Sequence, residues 1–503
     1  GGVLTESERP GPAAPSGAQR CQGGAVTVRP APLCALAVAA LAGCLALTFT
    51  TGGTLGNRPP LYGWYAADAL LFGVALLLLR RVPQRQVARL VLAGGVLVAA
   101  TGLLVPPRTS DDAHRYVWDG RVQASGVSPY AHAPQDPVLA PLRDPGLFPA
   151  GDGCRGWDER RTADGACTRI NRPAVHTIYP PLAEAWFLAQ HPFGDRVRTA
   201  QAAGALLAVA TTGALLAVTG GRRRAALWAW CPGVAVWAVN DAHVDALGTL
   251  LTVAGLGLAA RRRETAGGAL LGAATAVKLL PALALPGLLS GALGGAAAGG
   301  APGGGRGAFR AGLGAVGAAA GVFALCYLPY VLLSGTGVLG YLPGYLREEG
   351  YRQGGSERFG LLRAVLPDRA VPWAAGLLLA ALVLHVLRRG DPRRPWRGAL
   401  LVTGGALLLA GPGYPWYGLP VVALAALDGR WEWLAVPAAA QVLYLAGGAQ
   451  VQQLAYGAAL LTVLAAACGR ARRAPGPVPA AGAGPVPATG GGAGPAPEEM
   501  TEV

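Results

Sequence analysis

Asp111 and Asp112 are adjacent carboxylates at the start of a polar stretch, residues 109–181, that separates hydrophobic runs; His114, Arg115 and Tyr116 follow them directly. One carboxylate in such a place can take the proton from an acceptor hydroxyl as a general base while the other caps or orients the turn. The same pair also suits a plain helix start, with Ser110 or Asp111 as cap, because negative charge favours a helix N-terminus. Transfer of a sugar from a phosphate-linked lipid needs only one such base. Phosphate leaves readily once cations neutralise it, so the acid partner that glycosidases use is dispensable. Lys278, the single lysine of the chain, is a candidate cation, as are Arg347, Arg352, Arg358 and Arg363. Snorkelling of the lysine or solvation of the arginines accounts for the same residues without chemistry.

Asp241, His243 and Asp245 lie in one short polar segment, where they suit hydrogen bonds to sugar hydroxyls or to helix ends. Two acids and one histidine are a weak metal set, so neither a metal nor a cofactor is predicted. Tyr414, Trp416 and Tyr417 can stack on a sugar, although an interfacial aromatic belt has the same composition.

The elements that position these groups must be membrane helices. Of the 503 residues 52% are hydrophobic and 14% charged, and mean hydropathy is +0.38, which is too apolar for an ordinary soluble protein. The class expected is an all-α polytopic membrane protein of about 14 helices, with a large extracytoplasmic loop between the third and fourth spans. The formal charge of +15 comes almost entirely from arginine, in short clusters between apolar runs. That pattern excludes a nucleic-acid-binding face and instead sets membrane orientation.

Taken in order, residues 1–30 read as a disordered cytoplasmic tail, and 31–105 as N-terminal transmembrane helices whose first run is an uncleaved anchor. Residues 106–199 form the extracytoplasmic loop with interfacial helices, among them 179–193, which is read as interfacial or re-entrant rather than spanning. Residues 225–239 are expected to cross outward and deliver Asp241 to Asp245 to the outer face. Residues 267–290, broken by Lys278, Pro281 and Pro286, are expected to form a tight pair of short helices with Lys278 at the turn. The bundle, 200–469, carries a second outer loop at 334–369, and 470–503 is a second disordered cytoplasmic tail. Both termini are thus placed in the cytoplasm and the polar residues on the opposite face of the plasma membrane. There, Cys154 and Cys167 share the first loop and are expected to form a disulfide worth about 3 kcal/mol; two free thiols are the alternative.

These residues resemble a known family. Asp112 to Tyr116 look like the Asp-x-x-x-Tyr pattern of bacterial glycosyltransferase superfamily C enzymes, notably the polyprenyl-phosphate-mannose-dependent mannosyltransferases of actinobacteria. Gly126, Pro129 and Tyr130, then Tyr179-Pro180-Pro181, Asn240 to Leu247, Gly268 to Pro281, and Tyr414 to Tyr417 add to the resemblance in order. It implies an enzyme of the membrane's outer face that passes a sugar, usually mannose, from a polyprenyl phosphate to a glycolipid or cell-envelope glycan with inversion. It further implies that Asp112 is the base, with Asp111 the runner-up. His114, Arg115, Tyr116, Tyr179, Asp241, His243, Asp245, Lys278, Tyr414, Trp416 and Tyr417 are then candidates for binding substrate. The chain departs from the family in having three expected spans before the first loop and in the Cys154–Cys167 insertion. The rival readings are a transporter or flippase of a lipid-linked glycan, which would keep ionisable groups at mid-bilayer and show repeats, and a non-catalytic assembly protein.

Overall fold

The computed structural model describes residues 1–2, 30–151, 153–294, 304–339, 342, 344–345 and 358–473. Nearly all of the two expected tails, and the middle of the 334–369 loop with Arg347 and Arg352, fall outside the described residues. What is described is mostly helical. Helices α1 (Pro30–Thr51) and α2 (Pro59–Leu79) form a hairpin. They are followed by α3 (Gln84–Thr101), α4 (Asp112–Ala124), α5 (Pro181–Gln190) and α6 (Val197–Thr219).

Among the described residues, six helices are long and apolar enough to cross a membrane: α1, α2, α6, Phe309–Leu339, Val371–Arg389 and Ala449–Arg472. A seventh arises if Val234–Asn240 and Asp245–Ala260, bent by 114°, count as one broken span. The helix α3 occupies the expected third span but is not among the six, because Arg85 and Arg89 lie in its first half. Late in the chain, the apolar runs fold as Pro395–Ala410, Leu419–Asp428 and Ala435–Ala446. With 16, 10 and 12 residues, they reach at most ~24 Å against a hydrocarbon core of about 30 Å. All ten residues of Leu419–Asp428 are buried, as befits a helix that is apolar all round.

The run expected to cross outward, 225–239, is not one continuous helix. Pro232 supplies no backbone donor, and the run divides into α7 (Ala226–Ala229) and a π-helical segment, Val234–Asn240. The chain turns at Ala242, where φ is +55°, and enters α8 (Asp245–Ala260). In contrast, 179–193 yields the ten-residue α5, about 15 Å long and too short to span, and a 3-10 turn over His191–Phe193. Next come α9 (Glu264–Val277), Lys278 in an extended conformation, and a 3-10 helix over Leu280–Leu289. The expected pair of short elements, with the lysine at their junction, is therefore present.

Close backbone packing holds the π segment. A Cβ on Gly204 of α6 would lie 2.0 Å from the Ala238 carbonyl oxygen, and one on Gly102 would lie 2.8 Å from that of Ala235. We expect Gly204→Leu to lower the melting temperature in detergent, through overpacking of at least ~1–3 kcal/mol. Gly213→Leu, on the same helix with open space around it, should melt like wild type. Equal melting of the two variants would remove Gly204 from this role.

Candidate active site

The helix α4 begins at Asp112, whose backbone N–H donates to Ser110 Oγ at 3.3 Å. Of the two expected caps, Ser110 thus only accepts from the first helical N–H, one residue before the N-cap. Asp111 occupies the N-cap position without capping through its side chain; its carboxylate meets the Arg160 guanidinium and accepts from Asn171 Nδ2 at 3.2 Å. Asp112 Oδ1 accepts from the same amide at 2.5 Å, and its Oδ2 lies 3.4 Å from His243 Nδ1.

The π segment fixes the chain that leads to this pair. Asn240 Nδ2 donates to the carbonyls of Gly102, Val105 and Pro106, and its Oδ1 accepts from the Arg108 N–H. Asp241 Oδ1 accepts from the backbone N–H groups of Thr109 and Ser110, each at 3.1 Å, and its Oδ2 from the Thr109 hydroxyl at 2.5 Å. Two consecutive polar side chains thereby hold residues 102–110 and aim the start of α4. Such bonds are costly to lose, because a buried donor left without an acceptor costs about 1–3 kcal/mol.

On the facing side, Lys278 Nζ donates to Asp245 Oδ2 at 2.7 Å and sits 4.7 Å from the centre of the Tyr417 ring. Free snorkelling is therefore not its state. The Tyr417 hydroxyl meets that of Tyr345, and Tyr414 stacks on Trp416 at 4.9 Å between ring centres. Trp416 also stacks on His243, at 3.8 Å between ring centres.

These groups border one cavity of about 620 Å³. Of the residues singled out from sequence, Asp111, Asp112, Tyr179, Lys278, Tyr414, Trp416 and Tyr417 line it. The others stand outside its wall. Asp241 and His243 are buried behind Asp112, and Asp245 behind Lys278. His114 Nδ1 is 3.3 Å from the Asp111 carbonyl oxygen, and Arg115 is paired with Asp119 at 2.9 Å. Tyr116 stacks on Phe187 at 4.4 Å and meets Tyr179 edge-on. Their direct neighbours are protein groups that shape the wall. Arg358 is buried and Arg363 is paired with Asp368; neither lines the cavity.

Sequence reasoning did not select Asn171, Arg172, Tyr345 or Tyr444 as site residues, yet all four line the cavity. Asn171 and Arg172 come from an irregular part of the first loop, where no periodicity marks a direction. Apart from Ser110, the remaining wall is apolar, with Leu279, Leu280, Leu283, Leu342 and Leu407.

Burial pushes the Asp112 carboxyl up, but the His243 imidazole and the charges of Lys278 and Arg172 outweigh it and hold the group below the ordinary carboxylate value. The carboxylate is thus ionised at neutral pH and able to accept a proton in a transition state. Its side chain is 17% exposed, so it can be reached from the cavity.

Beside the site, Arg160–Arg161 pairs antiparallel with Cys167–Thr168, and a Cys154–Cys167 disulfide, with a Cα–Cα distance of 5.4 Å, closes the hairpin. Neither cysteine should react with maleimide in the folded protein until a reductant is added. Labelling without reductant would show free thiols.

A protein-family model described as alpha-(1->6)-mannopyranosyltransferase, N-terminal domain, of the MptA_B family, matches residues 195–293. No curated protein and no solved structure matches the chain. The matched stretch contains Asn240, Asp241, His243, Asp245 and Lys278, the groups that orient and face Asp112. Through that match, the family that this chain resembles is that of the membrane mannosyltransferases of actinobacterial type, and mannosyl transfer is the activity it supports.

Proposed function

We propose that the protein transfers mannose from a polyprenyl-phosphate donor to a hydroxyl of a glycolipid or cell-envelope glycan, by single displacement at the outer face of the cytoplasmic membrane. The observation that carries this reading is the make-up of the cavity. An ionised carboxylate, a lysine, an arginine, stacked aromatics and a leucine wall share one space. The leucines suit the first isoprene units of a lipid, and the aromatic rings suit the face of a sugar.

In the reaction the acceptor oxygen attacks the anomeric carbon as the bond from that carbon to the phosphate oxygen breaks. Asp112 takes the hydroxyl proton, and the electron pair leaves with the lipid phosphate. Lys278 and Arg172 are the cations on the wall that favour this departure. Attack opposite the leaving group inverts the anomeric centre. The disulfide beside the site supports an oxidising side of the membrane for this chemistry, as do the arginine clusters between the apolar runs.

The test is a transfer assay on purified protein in lipid, with radiolabelled polyprenyl-phosphate mannose and a membrane glycolipid extract. Label should move into the glycolipid fraction. Movement of the intact lipid-linked sugar across the bilayer, with no transfer from a panel of polyprenyl-phosphate sugars, would favour a flippase instead.

A further inference from the structure

The hairpin closed by Cys154 and Cys167 has no part in the reaction as derived so far, yet one of its side chains reaches the site. Arg160, on the first strand, forms an ion pair through Nη2 with Asp111 Oδ2, and its Nη1 donates to the Arg169 carbonyl at 3.3 Å. Both side chains are partly shielded, at 29% and 18% exposure. Asp111 and Asp112 are neighbours in the chain and share the single Asn171 amide. Two carboxylates so placed repel each other, and a nearby like charge favours protonation of one of them.

We propose that Arg160 is a positioning residue for sugar transfer: delivered by the disulfide-tied hairpin, its guanidinium takes up the charge of Asp111 and so keeps the neighbouring Asp112 available as base. This rests on the reading of Asp112 as the base. The other charges around the pair are committed elsewhere or act on Asp112. His243 lies against Asp112, with Asp241 bound to residues 109–110 behind it. Lys278 is paired with Asp245, and Arg172 lines the cavity wall. On the hairpin side, Arg169 is engaged by Asp158 at 3.3 Å and Glu159 at 3.4 Å. His114, on α4, meets the Asp111 backbone rather than its carboxylate. The remaining titratable neighbours, Tyr116, Tyr179 and Tyr444, are phenols that bring no positive charge.

The experiment compares the pH profile of kcat/KM for wild type, Arg160→Gln and Arg160→Lys in lipid, with polyprenyl-phosphate mannose as donor. Arg160→Gln should move the acid limb to higher pH by about one unit, and Arg160→Lys should largely restore it. Replacing both Cys154 and Cys167 by serine should give a smaller shift in the same direction. A uniform loss of activity with the limb unmoved would mark Arg160 as merely structural and overturn the proposal. A second readout does not depend on turnover. A hydrophobic carbodiimide modifies protonated carboxyl groups, and mass spectrometry of the peptide carrying Asp111 and Asp112 reports that state against pH. Modification should persist to higher pH in Arg160→Gln than in wild type, and coincident curves would overturn the proposal. If wild type itself transfers no sugar, the functional reading fails, while the carbodiimide curves still decide the role of Arg160.

Discussion

Asp112→Asn is expected to reduce transfer by about 10²–10⁴-fold, the usual contribution of a positioned general base, with little change in donor affinity. The substitution keeps the shape of the side chain and an acceptor oxygen for the Asn171 amide, so the start of α4 should remain in place. What asparagine cannot do is take a proton from the acceptor hydroxyl. The loss should therefore fall on kcat, with KM for the polyprenyl-phosphate sugar within a few-fold of wild type and the melting temperature unchanged. Asp111→Asn is the informative comparison. Asp111 is already engaged by Arg160, so its replacement should have a much smaller effect than that of Asp112. A variant Asp112→Asn with retained kcat, or a larger loss for Asp111→Asn, would move the base to Asp111 or elsewhere.

How much of this was legible in the sequence differs from residue to residue. Lys278 was legible because a lysine with prolines three and eight residues on cannot sit inside an apolar helix, and it does lie at the break between α9 and the following 3-10 helix. The interfacial reading of 179–193 was legible for a different reason: counting that run as a span would place Arg222, Arg223 and Arg224 on the outer side. Residues 225–239 were misleading. Hydropathy alone gives one continuous helix, whereas Pro232 and the close approach of Gly102 and Gly204 select a π segment that ends in a turn. That difference also decides which way Asp241 and His243 point. In a regular helix their spacing could be converted into a face; across a π segment and a turn with positive φ at Ala242 it cannot. Composition marked them as polar and grouped, but only tertiary packing shows that they serve Asp112 from behind. Asn171 and Arg172 were invisible for want of any period, Tyr345 because it lies in a loop among other tyrosines with no period either, and Tyr444 because a lone tyrosine in an apolar run looks like packing.

The second large effect is expected at Lys278, where charge serves both fold and reaction. Lys278→Met should lower kcat by roughly 10²–10³-fold if the ammonium helps the lipid phosphate leave, the scale seen when one group that stabilises developing negative charge is removed. The same change leaves Asp245, with 2% of its side chain exposed, as a buried acid without its cation. Breaking a buried pair from one side costs about 3–5 kcal/mol, so a drop in melting temperature will accompany the loss of activity and obscure its cause. The double variant Lys278→Met with Asp245→Asn separates the two. It removes both charges, so stability should return most of the way to wild type while transfer stays low. Lys278→Arg, which keeps the cation with a different reach, should melt near wild type and recover part of kcat. Were the double variant to transfer sugar at the wild-type rate, Lys278 would be an internal partner of Asp245 only, and Arg172 would be left as the cation of the cavity wall. Should it instead stay inactive but stable, the lone lysine of this chain would be tied to the departure of the phosphate, because no loss of fold would remain to explain the loss of rate.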